Sequence, residues 1–487
     1  MSFIFLTGDY AYKTKKPVNL GYLDYTTLER REHFCRQELE LNRRLCPAAY
    51  LDVVPVTESP AGIRLGGEGN VIEYAVKMKQ LPRDRMMDLL LPQDAVTPAM
   101  LVQVARLMAD FHGRAATGPD INVYGSLEGI RTNTDENFDQ TIKYIGTLIP
   151  EKFHRMLKDY NDQFLSSNTS LFNNRVSGAK IRDCHGDLHA AHVCFANEIY
   201  IYDCIEFNDR FRYCDTASEI AFLAMDIDRY GRADLSGSFV KDYISAGGDR
   251  EMGALLDFYK CYRAYVRGKV ACFKYDDPYL KDKNAILQEA QLYFNLAYRY
   301  AFPRLALIIT TGLIGTGKTT AAVAISRGLG CSTLSSDVIR KELAGIPPAE
   351  RHYEGFASGL YSRQSTQQTY TELFRRAGEQ LEKGRTVVLD ASFMKRSDRR
   401  SAQRIAVKHG AAFLTVECVA PDETIRQRLE ERSKAGSVSD GRWEIFADIK
   451  REYDPVTELS PDEHMILDTE SSSGNIIASL LQRINAL

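Results

Sequence analysis

A glycine-rich turn in the second half of the chain carries the residues best suited to hold phosphate. Gly312, Gly317, Lys318 and Thr319 fit the pattern G-x-x-x-x-G-K-[ST], with an apolar run before it and a helix-forming segment after it. Glycines let successive N–H groups point at phosphate oxygens, and the following helix N-terminus favours anions. The lysine would reach the β- and γ-phosphates, and the threonine would ligate Mg²⁺. A turn that binds nothing is disfavoured, because both flanking elements are present. The candidate nucleotide-binding positions of the turn are Gly312, Gly315, Thr316, Gly317, Lys318, Thr319 and Thr320.

Asp337 and Arg340 follow the next expected strand and are one helical turn apart. This spacing resembles the D-x-x-R element of polynucleotide, gluconate and zeta-toxin-type kinases. The resemblance implies that Asp337 accepts the proton of the attacking hydroxyl and that Arg340 binds an acceptor anion. The alternative is an N-cap aspartate followed by a surface arginine.

Asp390 ends a further apolar run, Val387–Asp390, and suits a Walker-B-like role on Mg²⁺ through water. Asp337 and Asp390 are both carboxylates expected at strand ends, so their roles are interchangeable at this stage. The sequence therefore predicts one base and one magnesium-binding acid between them.

Three arginines, Arg426, Arg428 and Arg432, lie on an expected helix that enters a glycine-containing segment, residues 434–441. This arrangement resembles the lid of a P-loop kinase. The resemblance implies that Arg428 or Arg432 neutralises charge that develops on the transferred phosphoryl group. The alternative is a solvated charged helix.

The first half opens with short strand candidates, one helix and further strand candidates. Lys13 lies on an early strand and Glu38 on the helix, an order typical of the small lobe of a protein kinase. In such a lobe the lysine holds the α- and β-phosphates, and the glutamate orients the lysine through an ion pair. The alternative is a lysine and a glutamate on a solvated surface.

The segment His185-Gly186-Asp187-Leu188-His189 resembles the catalytic loop of aminoglycoside phosphotransferases and related small-molecule kinases. The resemblance implies that Asp187 positions a substrate hydroxyl and takes its proton, that Asp203 binds Mg²⁺, and that Asp215 is structural. His192 stands where the family has an asparagine that ligates a second metal ion. Imidazole is a poor Mg²⁺ ligand, so His192 is a candidate metal position whose ion is in question.

The short N-terminus is a second departure from that family. Twelve residues precede Lys13, fewer than a strand–glycine loop–strand clamp needs. Either the turn Thr7-Gly8-Asp9 covers the phosphates, or this half binds nucleotide less tightly, or it is a pseudokinase. Farther along, Lys260, Arg263 and Arg267 share one helix face, which is either solvated or the basic wall of an acceptor pocket.

The elements that must position these residues fall into two domains. Pro303 ends a helix, and we place the boundary there: residues 1–302 form an α+β protein-kinase-like domain, with a small lobe over about 1–80 and a helical lobe over about 81–302, and residues 303–487 form an α/β P-loop domain with a parallel sheet. The strands expected in the second domain are Leu305–Thr311, Ser332–Leu334, Thr386–Leu389, Phe413–Cys418 and Met465–Leu467, and the helices between and after them include Gln367–Lys383, Ser397–His409, Asp422–Arg432 and Gly474–Ile484.

Composition bounds the function classes. The chain has 487 residues, 44% hydrophobic and 26% charged, with net charge −3, which argues against an extended nucleic-acid-coating surface. No apolar run approaches the ~20 residues of a membrane span, and the N-terminus lacks a signal-peptide pattern. Ten scattered cysteines without a C-x-x-C pair indicate reduced core residues in a cytoplasmic protein.

Taken whole, the chain resembles bacterial fusions of an aminoglycoside-phosphotransferase-like domain to a P-loop kinase domain. The resemblance implies ATP, Mg²⁺ and phosphoryl transfer to a hydroxyl group, with no membrane partner. The leading hypothesis is a two-centre kinase for a small polar or anionic acceptor. Two alternatives remain: a nucleic-acid 5′-hydroxyl kinase, which is less favoured, and a P-loop ATPase regulated by an N-terminal pseudokinase. Oligomeric state stays open.

Overall fold

The computed structural model describes residues 1–347, 359–434, 443–470, 479–481 and 483–484. By its internal contacts the chain divides into two units: the first comprises Met1–Ile145, Glu151–Tyr230 and Asp234–Val270, and the second comprises Gly146–Pro150, Gly231–Ala233 and Ala271–Leu487. Among the helices of the described residues, none combines the length and the apolar character that a membrane span requires.

The first unit opens with an antiparallel sheet crossed by one helix. Its elements are β1 (Ser2–Thr7), β2 (Tyr10–Lys15), α1 (Leu28–Arg43), β3 (Tyr50–Ser59), β4 (Gly62–Leu65) and β5 (Asn70–Lys79). The strand order is β1-β2-β5-β3-β4. Thr27 caps α1 by accepting a hydrogen bond from the Arg30 N–H, and Cys35 of α1 is buried in one cluster with Val76 of β5. Helix α1 therefore lies against the sheet, within reach of β2.

The rest of the first unit is mostly helical, with short strands that frame a loop. Its elements are α2 (Met87–Leu90), α3 (Pro98–Arg114), α4 (Pro119–Asn122), α5 (Leu127–Thr141), α6 (Glu151–Ser167), α7 (Thr169–Ser177), β6 (Ile181–Asp183), β7 (Val193–Phe195), β8 (Ile199–Ile201), α8 (Asp209–Arg212), β9 (Tyr213–Asp215), α9 (Thr216–Arg229), α10 (Ala233–Gly247) and α11 (Leu256–Tyr275). Helix α9 is buried along almost its whole length, and Met108, Leu223 and Phe239 belong to the core around it. Strands β6 and β7 flank residues 184–192, so this loop rests on a packed core.

The second unit is a parallel five-stranded sheet with helices between its strands, as the sequence predicted. Its elements are α12 (Lys283–Ala301), β10 (Ala306–Thr311), α13 (Lys318–Leu329), β11 (Ser332–Ser335), α14 (Ser336–Leu343), α15 (Arg363–Glu382), β12 (Val387–Asp390), α16 (Arg396–Lys408), β13 (Ala412–Val419), α17 (Asp422–Lys434), α18 (Phe446–Glu452) and β14 (His464–Asp468). The strand order is β11-β12-β10-β13-β14. The central strands are continuous apolar runs because helices cover both faces of the sheet.

At the two ends of this unit, one predicted helix belongs to a different unit from the one expected, and another lies mostly outside the described residues. Helix α12, which we placed before the predicted boundary, belongs to the second unit, where Arg299 donates a hydrogen bond to the Gly330 carbonyl oxygen (2.9 Å). Of the helix predicted over Gly474–Ile484, only residues 479–481 and 483–484 lie among those described.

Candidate active centres

Two lysines on one face of β2 converge on a single glutamate of the first unit. Side chains two residues apart in a strand share a face, so Lys13 and Lys15 both point at α1. Lys13 Nζ lies 2.8 Å from Glu38 Oε1, and Lys15 Nζ lies 2.5 Å from Glu38 Oε2. Burial raises the pKa of Glu38, but the two ammonium charges outweigh burial and hold its pKa below the ordinary value. The solvated-surface alternative is wrong, because the Glu38 side chain has no exposed surface.

Each lysine also binds a carboxylate from the segment that follows β8. Lys13 Nζ lies 2.5 Å from Asp203 Oδ1, and Lys15 pairs with Glu206, which also accepts a hydrogen bond from the Tyr25 hydroxyl (2.7 Å). Burial lowers the pKa of Lys13, but the charges of Asp203 and Glu38 raise it well above its usual value. Lys13 is therefore a fixed cation between two carboxylates.

Asp203 has a backbone conformation that non-glycine residues adopt rarely. Its φ is 65°, in the left-handed region, where Asp and Asn are the residues most often tolerated. The next N–H, from Cys204, donates to Asn42 Oδ1 of α1 (2.9 Å), and the Asp203 N–H donates to the Tyr50 hydroxyl (3.3 Å). Burial raises the pKa of Asp203, but the charge of Lys13 lowers it below the usual range. The carboxylate is therefore ionised and bound by Lys13 of β2, while the backbone that carries it is bound by α1 and β3.

The loop that carries Asp187 is anchored by a buried glutamate of α9. The backbone N–H groups of His185 and Gly186 donate to Glu219 (2.9 and 2.6 Å), and His112 Nε2 lies 2.8 Å from the same carboxylate. Burial raises the pKa of Glu219, but the hydrogen bond and charge of His112 bring it down to about 2. Gly186 has φ 86°, and a Cβ there would lie 2.9 Å from the Phe211 carbonyl oxygen. The turn before Asp187 is thus fixed at both ends.

Three side chains, Asp187, His189 and His192, bring possible ligand atoms within 4.8 Å of one another. His189 Nε2 and His192 Nδ1 each lie 3.5 Å from Asp187 Oδ2, and His192 Nε2 lies 3.5 Å from Asp203 Oδ2. Burial raises the pKa of Asp187, but the His189 charge and hydrogen bond, with His192 and Arg267, lower it below its usual range. Burial lowers the pKa of His192 to about 4. Asp187 is therefore an ionised carboxylate beside a neutral imidazole.

A second group, His112, Cys184 and Glu219, also brings donor atoms together, but its polar atoms are already used. His112 Nδ1 lies 2.7 Å from the Tyr243 hydroxyl, and His112 Nε2 is bonded to Glu219. Burial raises the pKa of the Cys184 thiol. This group fits the predicted reduced core cysteines: all ten cysteines are free, and nine are buried.

The basic helix α11 supports the loop from inside the unit. Arg263 is buried and donates to the Gly186 carbonyl oxygen (3.2 Å), and Lys260 pairs with Asp228 (2.8 Å). Arg263 therefore lies neither on a solvated helix face nor in the wall of an acceptor pocket. Asp215, the predicted structural aspartate, shares the buried Arg175 with Asp249.

In the second unit the glycine turn has the backbone that its sequence predicts. Gly312, Gly315 and Gly317 have φ of 133°, 78° and 86°. A Cβ at position 312 would lie 2.4 Å from the Cys418 carbonyl oxygen, so only glycine fits there. Thr316 Oγ1 and Lys318 Nζ both donate to the Leu313 carbonyl oxygen (2.8 and 2.7 Å), while Thr319 and Thr320 are exposed at the start of α13.

Asp390 lies at the carboxyl edge of the sheet because of the strand register. Thr310 and Ser335 are its neighbours on the two adjacent parallel strands. Burial raises the pKa of Asp390, opposed by hydrogen bonding from the Thr319 side chain and by the charge of Lys318. A hydroxyl and a carboxylate are the oxygen donors that Mg²⁺ prefers, so Thr319 and Asp390 fit this ion.

Asp337 and Arg340 lie on α14, but they face different surroundings. Asp337 is half-buried in the first turn, and Ser335 is the N-cap. Arg340 is 7% exposed and donates to the Leu360 carbonyl oxygen (3.0 Å) and to Thr366 Oγ1 (3.2 Å). The alternative of an N-cap aspartate with a surface arginine is therefore wrong.

The arginines of the expected lid divide between described and undescribed parts of the chain. Arg428 donates to Oγ1 and to the carbonyl oxygen of Thr469 (2.8 and 3.0 Å), which follows β14. A Cβ on Gly317 would lie 3.4 Å from Thr469, so Arg428 approaches the glycine turn through this threonine. The side chain of Arg432 and residues 435–442 lie outside the described residues.

Comparison with known proteins places the chain among relatives. A family model described as an AAA domain matches residues 307–456. Uncharacterized proteins Rv2004c of Mycobacterium tuberculosis and Mb2027c of Mycobacterium bovis are each 31% identical to the chain over 451 residues, which is 91% of this chain and 87% of theirs. The chain belongs to the Rv2004c family. Its second unit contains a P-loop nucleotide-binding domain, within which the matched residues 307–456 lie.

Solved structures resemble part of this Rv2004c family member. The APS kinase CysC of Mycobacterium tuberculosis, in complex with AMPPNP and APS, is 21% identical, with TM-score 0.27, over 38% of this chain and 97% of its own. A gluconokinase from Sinorhizobium meliloti is 19% identical, with TM-score 0.26, over 38% of this chain and 91% of its own.

The sequence did not reveal three residues of the first centre, Lys15, Glu206 and Glu219. Lys15 and Glu206 pair with each other across 191 positions, and Glu219 binds the loop 33 positions before it. The two-residue spacing of Lys13 and Lys15 signals a shared strand face. Nothing in the sequence pairs the two glutamates with their partners, because only the fold brings them together.

Proposed function

We propose that the chain is an ATP- and Mg²⁺-dependent phosphotransferase with two nucleotide-binding centres, acting on hydroxyl groups of a small polar or anionic acceptor. One centre belongs to a kinase-like domain over about residues 1–302, and the other to a P-loop kinase domain over about 303–487. The observation that carries the proposal is shared by both: the charge of a lysine acts on an aspartate at or just after a strand end, with Lys13 Nζ 2.5 Å from Asp203 Oδ1 and the charge of Lys318 opposing the rise that burial causes in the pKa of Asp390.

In the first centre, side chains divide the work of phosphoryl transfer. Lys13, oriented by Glu38, binds the α- and β-phosphates, and Asp203 offers its carboxylate to the metal ion. Asp187 takes the proton of the acceptor hydroxyl, a role that its ionised state supports. A divalent metal ion, when bound, would neutralise charge on the phosphates.

In the second centre, backbone N–H groups of the glycine turn bind the phosphates, and Lys318 reaches the β- and γ-phosphates. Thr319 and Asp390 would hold the metal ion, and Asp337 is the candidate base on α14. Arg340 already binds Leu360 and Thr366, which supports a positioning role rather than contact with the acceptor. Arg428, bound to Thr469, is a candidate for stabilising the transferred phosphoryl group.

Separate Asp187→Asn and Lys318→Ala variants test the proposal. Transfer of labelled γ-phosphate to a panel of small hydroxyl compounds is measured for each variant and for the double variant. Each single change is expected to abolish one ATP-dependent transfer, and the double change all transfer. If either single variant keeps all transfer intact, the two-centre proposal fails.

A second candidate, a P-loop ATPase regulated by an N-terminal pseudokinase, is favoured by one observation: His192 replaces the oxygen donor expected for a second Mg²⁺. In that case ATP is hydrolysed without an acceptor, and Asp187→Asn leaves the turnover number unchanged. Labelling of a 5′-hydroxyl oligonucleotide would instead favour the nucleic-acid kinase alternative.

A further inference from the structure

Two acceptor atoms face each other in the first centre. His192 Nδ1 lies 2.9 Å from the main-chain carbonyl oxygen of Asp187. A carbonyl oxygen only accepts, so Nδ1 carries a hydrogen, and Nε2 is the ring nitrogen left to bind a metal ion. Nε2 faces Asp203 Oδ2 at 3.5 Å. A nitrogen and an oxygen that can both act as metal ligands therefore border the same space.

The separation of these atoms suits a metal ion. An N–H···O bond between them would be about 2.9 Å long, shorter than the distance found. Two ligands at about 2.1 Å from one ion, with an angle of about 90–110°, are about 3.0–3.5 Å apart. The hydrogen bond from Nδ1 to a carbonyl oxygen is also the outer-shell contact that orients metal-binding histidines.

The neighbouring His189 has a different part. The Ala191 N–H donates to His189 Nδ1 (3.3 Å), and His189 Nε2 lies 3.4 Å from Arg267 Nη1 and 3.5 Å from Asp187 Oδ2. Both nitrogens of His189 therefore have partners within its own loop or on α11, whereas His192 turns Nε2 to Asp203.

We propose that the first centre binds a divalent transition-metal ion of the Mn²⁺, Co²⁺ or Zn²⁺ class between His192 Nε2 and Asp203 Oδ2, in preference to Mg²⁺. Imidazole binds these ions well and Mg²⁺ poorly, whereas the second centre offers only oxygen from Thr319 and Asp390. The inference rests on the proposed function, because nucleotide phosphate oxygens and water complete the coordination of the ion. His192 is thus the residue that sets metal preference in the first centre.

Cobalt binding tests the proposal, because Co²⁺ bound to imidazole absorbs visible light in a characteristic way. The full chain carries Lys318→Ala to weaken nucleotide and metal binding in the second centre, and is stripped of metal with a chelator before titration with Co²⁺. His192→Asn is expected to weaken Co²⁺ binding about 10-fold or more and to remove the imidazole-dependent absorption. His33→Asn, a change of an exposed histidine outside the centre, should alter neither. Far-ultraviolet circular dichroism verifies that each variant is folded.

Two readouts separate this inference from the proposed function. Calorimetry with a non-hydrolysable ATP analogue measures nucleotide binding independently of the Co²⁺ spectrum. Nucleotide binding with Co²⁺ affinity and spectrum that do not depend on His192 overturns the metal assignment and leaves the phosphotransferase proposal standing. His192-dependent Co²⁺ binding without nucleotide binding supports the metal site and overturns the phosphotransferase role of the first unit.

Discussion

The two candidate centres are built by opposite means. The first is held by charged side chains that the fold collects from distant positions: Lys15 and Glu206 are 191 residues apart. The second is built from the backbone of one contiguous turn, Gly312 to Thr319, at the start of a helix. A side-chain network fails when a charge is removed, whereas a backbone cradle fails when a Cβ is added. The two centres should therefore be sensitive to different kinds of substitution.

Removal of one buried cation should give the largest effect, on the first centre. Lys15→Met leaves Glu206 buried without its cation and Glu38 with one lysine instead of two. We expect the free energy of unfolding to fall by about 3–5 kcal/mol, the cost of breaking a buried pair from one side. Urea unfolding followed by circular dichroism measures it. Lys79→Met, at an exposed strand end, is the control, and a loss below about 1 kcal/mol for Lys15→Met would contradict the network.

The matching charge deletion in the second centre should affect rate rather than folding. Asp390→Asn removes the carboxylate beside Thr319 but keeps an amide that can accept its hydrogen bond. Turnover of ATP, measured in an Asp187→Asn background, is expected to fall about 10²–10³-fold, a typical cost of losing one electrostatic contact to the transition state. Asp462→Asn, an exposed change in the same unit, should leave turnover unchanged. Equal turnover in both variants would remove Asp390 from the metal site.

Adding a Cβ atom at a glycine should destabilise the second centre more than the first. Gly312→Ala brings a Cβ to 2.4 Å from a main-chain oxygen, whereas Gly186→Ala brings one to 2.9 Å. We expect losses of about 3 kcal/mol and about 2 kcal/mol in unfolding free energy, from backbone strain plus crowding. Gly8→Ala, with φ 54° and no atom within 4 Å, should cost about 1 kcal/mol. If Gly186→Ala is the most damaging change, the backbone argument fails.

Acid should weaken the first unit through Glu219. Its folded pKa of about 2 lies below its ordinary value of 4.5, so its contribution to stability is complete above pH 4.5 and is lost as pH falls towards 2. The slope for one carboxylate is at most about 1.4 kcal/mol per pH unit. Glu219→Gln should flatten the pH dependence of unfolding in that window, whereas the exposed control Glu198→Gln should not. Identical slopes would mean that the His112 contact does not hold this carboxylate ionised.

The contrast between the centres also explains what sequence could predict. The parallel sheet and the glycine turn follow from local signals: continuous apolar runs of strand length, and a motif within eight residues. The burial of Arg340 was missed, because its partners Leu360 and Thr366 lie 20 and 26 positions away. In the first unit the sequence singled out Lys13, Asp187 and Asp203 as candidates, but it did not reveal the residues that hold them in place. Glu206 and Glu219 carry no local pattern, and the kinase-like assignment of this unit stays a prediction.

The left-handed backbone at Asp203 constrains how this position can be dissected. Its φ of 65° is tolerated by asparagine about as well as by aspartate, whereas alanine would be unfavourable both because of this conformation and because of the lost charge. An Asp203→Asn variant therefore removes the charge and keeps the conformation, whereas the further loss of stability in Asp203→Ala reports the conformation together with the lost side-chain oxygen that contacts Lys13. For the same reason, few substitutions at position 203 should be neutral, whatever ion the side chain binds.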